Sequence, residues 1–306
     1  MPSQPQHQPQ QSNYDSIGAA YADIVKTSPF VAVEQANLRT VLGPRIKGAR
    51  VLDLACGEGH FSRLWLEWGA SYVLGVDLSA EMIQVARAKM DGHPLIEKGK
   101  LEFQVGDAMT LGKIDNKEGE FDIVTGCWLL NYTENGNDMA RMFETIAANL
   151  KKGGLFVGIV PPQPVSRREM DAFTQRMRTE HEARDAVLGL TYNYYERHPR
   201  GSKEGEGDGW RLKALVRGGM GRVKPPKILD EQGEEVDQVV PIDTMHLCCE
   251  VYEEAARKGG MTGRLYWKDI ERPGEEDIDK YGGSEEYWQN YWEVGPHIGL
   301  LVVEKE

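Results

Sequence analysis

The chain has 306 residues, of which 40% are hydrophobic, enough for one large core or one core carrying a sizeable insertion. Acidic side chains (48) outnumber basic ones (36), a net charge of −12, and this works against a nucleic-acid partner because phosphate backbones are held by basic surfaces. No stretch approaches the roughly 18 apolar residues that span a bilayer, and Cys56, Cys127, Cys248 and Cys249 form no C-x-x-C pair, so no membrane partner, zinc site or disulfide framework is expected and a reducing, cytoplasmic location fits best.

The opening MPSQPQHQPQQSN has no apolar run to serve as a secretory signal, and residues 1–11 read as a disordered tail. Tyr14, Ile17, Tyr21, Ile24 and Val25 fall at helical spacing over about 13–26. A second helix is predicted over about 31–42, stopped by Gly43-Pro44. Residues 12–44 thus form an N-terminal helical cap. An alternating pattern follows. Strands are expected at 50–55, 72–77, 101–105, 121–126 and 155–160. Between them lie a helix with Phe61, Leu64, Trp65 and Trp68 on one face, closed by Gly69, and another at about 80–90. A third helix carries Met139, Met142, Phe143, Ile146, Ala147 and Leu150 and ends at Gly153-Gly154. This order predicts an α/β doubly wound, parallel sheet, with ligands bound beyond the carboxyl ends of its strands.

After Val160 the alternation stops. Residues 161–245 read as an inserted α+β lid over the strand ends, with a helix at about 166–187, a half-buried strand at 210–217 and a hairpin around 231–234. A helix at about 247–258 and strands near 264–267 and 298–303 resume the core, which therefore covers 45–160 and 246–306. Residues 271–286 are acidic and loop-like, and Trp288 and Trp292 are packing residues.

The segment VLDLACGEGHFS, 51–62, carries the chemistry. A buried strand runs into a loop in which Gly57 and Gly59 allow a tight turn and close approach of a ligand. The pattern also fits dinucleotide proteins, whose fingerprint is G-x-G-x-x-G, but Ser62 replaces the third glycine. Asp53 at the strand end would repel a pyrophosphate and would suit a cationic amino group, directly or through water. Asp77 ends the next strand, where an acid can accept hydrogen bonds from ribose hydroxyls. Asp107, in GDAM, can accept from an adenine amino group. CWLLNYT, 127–133, leaves the fourth strand, so Trp128 and Tyr132 are candidate pocket residues.

These pieces, in this order and spacing, resemble the motifs of class I S-adenosylmethionine-dependent methyltransferases over roughly 45–160 and 247–304. The resemblance implies a Rossmann-like core with S-adenosylmethionine as cofactor. Asp53, Ala55, Gly57 and Gly59 would serve the methionine end and its loop. Asp77, Leu78 and Met82 would hold the ribose and adenine, Asp107 and Ala108 the adenine edge, and Cys127 would lie near the sulfonium. YDSIGAAYADI, 14–24, further resembles the glycine N-methyltransferase and toxoflavin-synthase branch. In that branch an N-terminal helix closes over the donor, which implies a cofactor contact for Tyr21 and a substrate contact for Tyr14. N/D-P-P-Y, the motif of amino-methyltransferases acting on bases, is replaced by Asn131-Tyr132-Thr133.

The expected activity is methyl transfer to an O or N nucleophile, with C less favoured, on a small molecule of secondary metabolism. In-line displacement depends mainly on alignment, and a base is needed only if the nucleophile must lose a proton. His246, read as opening the helix after the insert, is the candidate base. Tyr195, sent by strand alternation to the face opposite Tyr192 and Tyr194, is a candidate substrate contact. The alternatives are a protein that binds the cofactor without transferring methyl and, less favoured, an NAD(P) oxidoreductase.

Overall fold

The computed structural model describes residues 28–90, 99–115, 120–199, 202–203, 207–217, 228–229, 235–236 and 239–306. The expected tail and first helix, with Tyr14 and Tyr21, lie outside these residues. In chain order the elements begin with α1 (Phe30–Ile46), β1 (Arg50–Leu54), α2 (His60–Glu67), β2 (Tyr72–Asp77) and α3 (Ala80–Met90). There follow β3 (Leu101–Val105), β4 (Phe121–Thr125), a 3-10 turn at Leu130–Tyr132, α4 (Gly136–Asn149) and β5 (Leu150–Val160). The intervening region contains α5 (Met170–Thr179), α6 (His181–Leu188), β6 (Leu190–His198), β7 (Gly209–Arg217), β8 (Ile228–Leu229), β9 (Glu235–Val236) and β10 (Val239–Leu247). The chain finishes with α7 (Cys249–Lys258), β11 (Leu265–Lys268), α8 (Glu275–Tyr281), α9 (Glu285–Val294) and β12 (Gly299–Glu304).

Seven strands form the central sheet in the order β11-β12-β5-β4-β1-β2-β3, and β12 alone runs against the rest. β1 is the middle of the parallel half and is buried from Val51 to Leu54, as a strand covered on both faces must be. The order reverses between β2 on one side of β1 and β4 on the other. That switch point opens a crevice beyond the carboxyl ends of β1 and β4. α4 seals one face with buried Met139, Met142, Phe143 and Ile146. Its N-cap Asn135 accepts hydrogen bonds from the Asn137 and Asp138 backbone N–H groups, worth about 1 kcal/mol. A second, antiparallel sheet, β10-β7-β6, stands between β5 and α7 in the chain, and β8 pairs with β9. The hairpin expected at 231–234 itself lies outside the described residues.

Several expected boundaries shift for identifiable reasons. α1 passes through Gly43-Pro44 to Ile46, because a proline one turn from a helix end removes a single hydrogen bond. α4 stops at Asn149. Gly153-Gly154 lies instead within β5, where the β4 pairing slips between Phe121 and Ile123. The helix expected at about 166–187 is two helices, and the antiparallel sheet reaches Leu247 rather than stopping at residue 245. The acidic stretch 271–286 contains α8 and the start of α9. Tyr281 and, beyond the stretch, Trp288 and Tyr291 face inward, and the Ser284 hydroxyl caps α9 by accepting from the Tyr287 backbone N–H.

Candidate functional site

A cavity of about 360 Å³ opens at the switch point. One wall is built from the loops after β1, β2 and β3. Cys56 donates its backbone N–H to the Val76 carbonyl (3.1 Å), tying the first loop to β2. Ala55 (φ 56°) and Gly57 (φ 54°) are both left-handed. For alanine that conformation costs about 1–2 kcal/mol, and here it turns the chain at the strand end. A Cβ on Gly57 would meet nothing within 4 Å, so its backbone faces open space. The Asp77 carboxylate braces the loop, accepting from the Gly57 N–H (2.7 Å) and from the Ser79 N–H (2.8 Å). Asp107 holds the third loop in an Asx turn by accepting from the Met109 N–H at 2.8 Å. Ala55, Gly57, Asp77, Leu78, Met82 and Asp107 line this wall, with Ala108 beside them.

The opposite wall carries Trp128, Tyr132 and Tyr195. Trp128 is also left-handed (φ 60°), held by its backbone N–H to the Ile159 carbonyl (2.8 Å) and its indole N–H to Glu34 (3.1 Å). Tyr192 and Tyr194 are buried, whereas Tyr195 is 56% exposed. In the β6–β7 register Tyr194 faces Leu212 and Glu196 faces Arg211, so Tyr195 is the extra residue of a bulge that aims it into the cavity. Cys127 lines the cavity between the walls. Burial pushes its thiol well above its ordinary value, so it stays protonated.

Three candidate residues stand elsewhere. His246 lies in β10 and does not line the cavity. It is fully buried, its Nε2 2.9 Å from the Pro162 carbonyl and its Nδ1 2.8 Å from the Tyr194 hydroxyl. Burial lowers its pKa to about 4. With both nitrogens engaged it is a neutral strut between β10, β6 and the end of β5, not a base facing the methyl. Asp53 is 1% exposed, and its carboxylate accepts from the Ser62 (2.5 Å) and Thr125 (2.7 Å) hydroxyls. Burial raises its pKa to about 6, and those two hydroxyls partly offset the rise. It braces α2 and β4 from behind the loop rather than meeting a donor's amino group. Gly59 (φ 80°) is the N-cap of α2, and a Cβ there would lie 2.6 Å from the Phe103 ring. It serves packing, not the cavity wall. Tyr14 and Tyr21 lie outside the described residues.

Sequence reasoning missed Glu34, Asn131, Glu134, Arg211 and Thr244, all of which line the cavity. They come from α1, the turn after β4, β7 and β10, and no local motif joins them. The bulge at Tyr195 and the left-handed Trp128 likewise leave no sequence signal.

The parallel switch point, the left-handed glycine loop and the acids after successive strands make a Rossmann-like fold of the class I methyltransferase type. Residues 51–154 match the family described as Methyltransferase domain. The demethylmenaquinone methyltransferase of Symbiobacterium thermophilum is 34% identical over 122 residues, 39% of this chain and 45% of that protein. The chain spans about half the length of the curated relatives it matches. Among solved structures, the CcbJ methyltransferase of Streptomyces caelestis superposes with a TM-score of 0.54 at 15% identity, over 96% of this chain and 98% of that one. An amino pentose methyltransferase from Micromonospora echinaspora, solved with S-adenosylmethionine bound, gives 0.51 at 18% identity, over 98% and 100%. At these identities the likeness is one of fold.

Proposed function

We propose that the protein transfers the methyl group of S-adenosylmethionine to an oxygen or nitrogen nucleophile of a small molecule of secondary metabolism. The observation that carries this reading is the single cavity joining the Gly57–Asp77–Asp107 wall to the Trp128–Tyr132–Tyr195 wall. The first wall suits a nucleoside. Gly57 offers open backbone, and Asp77 and Asp107 offer carboxylate acceptors. The bound cofactor would supply an activated sulfonium methyl. What the chain adds is alignment and exclusion of water.

The acceptor is taken to be small because a cavity of about 360 Å³ lies within the range of small-molecule sites. The net charge of −12 also disfavours a polyanion. The relative that is 34% identical is named for demethylmenaquinone, itself a small molecule. The sheet β10-β7-β6 serves as the lid of this reading, contributing Tyr195, Arg211 and Thr244 to the acceptor end. A cytoplasmic setting belongs to the same proposal, and among the described residues no helix is long and apolar enough to cross a membrane.

Calorimetric titration with S-adenosylhomocysteine, with NAD as control, tests the donor site. Micromolar binding of the thioether and none of NAD is expected, and preference for NAD sinks the reading. Mass spectrometry of turnover products then separates transfer, a gain of one methyl, from binding without reaction.

A further inference from the structure

We propose that the acceptor end of the cavity takes a basic amine, held between the Glu34 carboxylate and the side-chain oxygen of Asn131, so that nitrogen rather than a hydroxyl oxygen receives the methyl. The proposal rests on the methyl-transfer reading above and narrows its acceptor class.

Asn131 lines the cavity and is 2% exposed. Its amide orientation follows from its neighbours. The Thr244 hydroxyl donates its one proton to the Asn131 backbone carbonyl (2.8 Å), so Thr244 Oγ1 must accept from the Asn131 side-chain nitrogen (2.7 Å). Asn131 Oδ1 is then a buried acceptor, and no described residue donates to it. Leaving such a group unmet is unfavourable, and a ligand N–H placed at this wall satisfies it.

Glu34 supplies the charge. It is 3% exposed and lines the same cavity. Its Oε1 accepts from the Trp128 indole at 3.1 Å and lies 3.3 Å from His297 Nε2. The His297 Nδ1 is 2.7 Å from the Tyr291 hydroxyl, and burial holds that phenol well above its ordinary range, so it keeps its proton. Glu34 is thus met by the Trp128 indole and the His297 ring, and among the described residues no Lys or Arg pairs with it. Arg211, the cation of this wall, is engaged by Glu134 (2.8 Å) and Glu196 (3.5 Å). A buried carboxylate with no Lys or Arg partner is stabilised more by an incoming ammonium than by an alcohol.

The chemistry closes. An ammonium N–H proton passes to the Glu34 carboxylate, and the freed lone pair forms the N–C bond. The S–C bond of the donor breaks with its electron pair left on sulfur, giving a neutral thioether and a methylated ammonium. Glu34 later returns its proton to solvent. Asn131 Oδ1 accepts a second N–H and orients the lone pair.

The test is calorimetric titration of the S-adenosylhomocysteine-loaded protein with two matched pairs: phenethylamine against 2-phenylethanol, and cyclohexylmethylamine against cyclohexylmethanol. The amine of at least one pair is expected to bind tenfold or more tighter than its alcohol. Glu34→Gln should erase that preference while thioether binding is retained, and Asn131→Leu should weaken amine binding more than alcohol binding. Asn131→Asp, which adds a carboxylate beside the same point, should raise amine affinity even if Glu34→Gln folds poorly. Failure of the thioether to bind breaks the methyl-transfer reading itself. Thioether binding with no amine preference in either pair, a preference that survives Glu34→Gln, or no gain from Asn131→Asp overturns this proposal alone.

Discussion

The two walls of the cavity are assembled in different ways. The wall with Gly57, Asp77 and Asp107 comes from three successive strand ends, and its geometry is mostly backbone geometry. The wall with Glu34, Asn131, Tyr195 and Arg211 draws on α1, the turn after β4, β6 and β7, and its geometry is side-chain geometry held by long-range hydrogen bonds. A site made of local turns tolerates few substitutions at those turns, whereas a site made of distant side chains can change its ligand while the fold stays intact.

Substitutions sharpen this contrast. The largest expected effect is Gly59→Ala. A left-handed alanine costs about 1–2 kcal/mol, and its Cβ would meet Phe103 at 2.6 Å, adding an overpacking cost of about 1–3 kcal/mol. Denaturant unfolding should show a loss of about 2–5 kcal/mol, and adding Phe103→Leu should recover the overpacking part. An unchanged midpoint would mean that the loop is not held as described. Next comes Asp77→Ala, which strips the acceptor from the Gly57 and Ser79 N–H groups. A hydrogen bond to a charged group contributes about 1.5–3 kcal/mol, so loss of the Gly57 brace alone should lower thioether affinity by calorimetry roughly ten- to a hundredfold.

The smaller effects are pH dependences of opposite sign in the two regions. His246, in the second sheet, has a folded pKa depressed from 6.5 to about 4, so its contribution is present above about pH 6.5 and lost as pH falls towards 4. Between pH 7 and 5 this removes about 2 kcal/mol, and His246→Gln, which can still donate to Pro162 and accept from Tyr194, should abolish that loss. Asp53, under the glycine loop, has a folded pKa raised from 3.8 to about 6. Its burial therefore destabilises the fold at neutral pH and is relieved as pH falls. Over the same interval the fold gains about 1 kcal/mol, and Asp53→Asn should remove that gain. Matching pH slopes in the two variants would show that the groups are not buried as described.

Legibility followed the same division. The alternation of strands and helices is written within a few residues of the features it sets, and the acids at 77 and 107 stand at or just after strand ends, so the parallel sheet and one wall could be read directly. The roles of Asp53 and His246 could not, because their partners are far away in the chain. Thr125 is 72 residues from Asp53, and Tyr194 and Pro162 are 52 and 84 from His246. A histidine placed near a pocket looks like a base until both of its nitrogens are seen to be occupied. The acidic stretch 271–286 looked like loop because its charges dominate the composition, while the buried Tyr281, Trp288 and Tyr291 that anchor its helices are few and widely spaced.

The position of β12, between β5 and β11 inside the central sheet, sets an order of assembly during synthesis. The strand ends that make the first wall have all emerged by residue 109. The His297 that holds Glu34 precedes β12 directly and arrives nearly two hundred residues later. At roughly 5–20 residues per second, that is a delay of some 10–40 s. During it the acidic side chain of the other wall still lacks the imidazole that positions it.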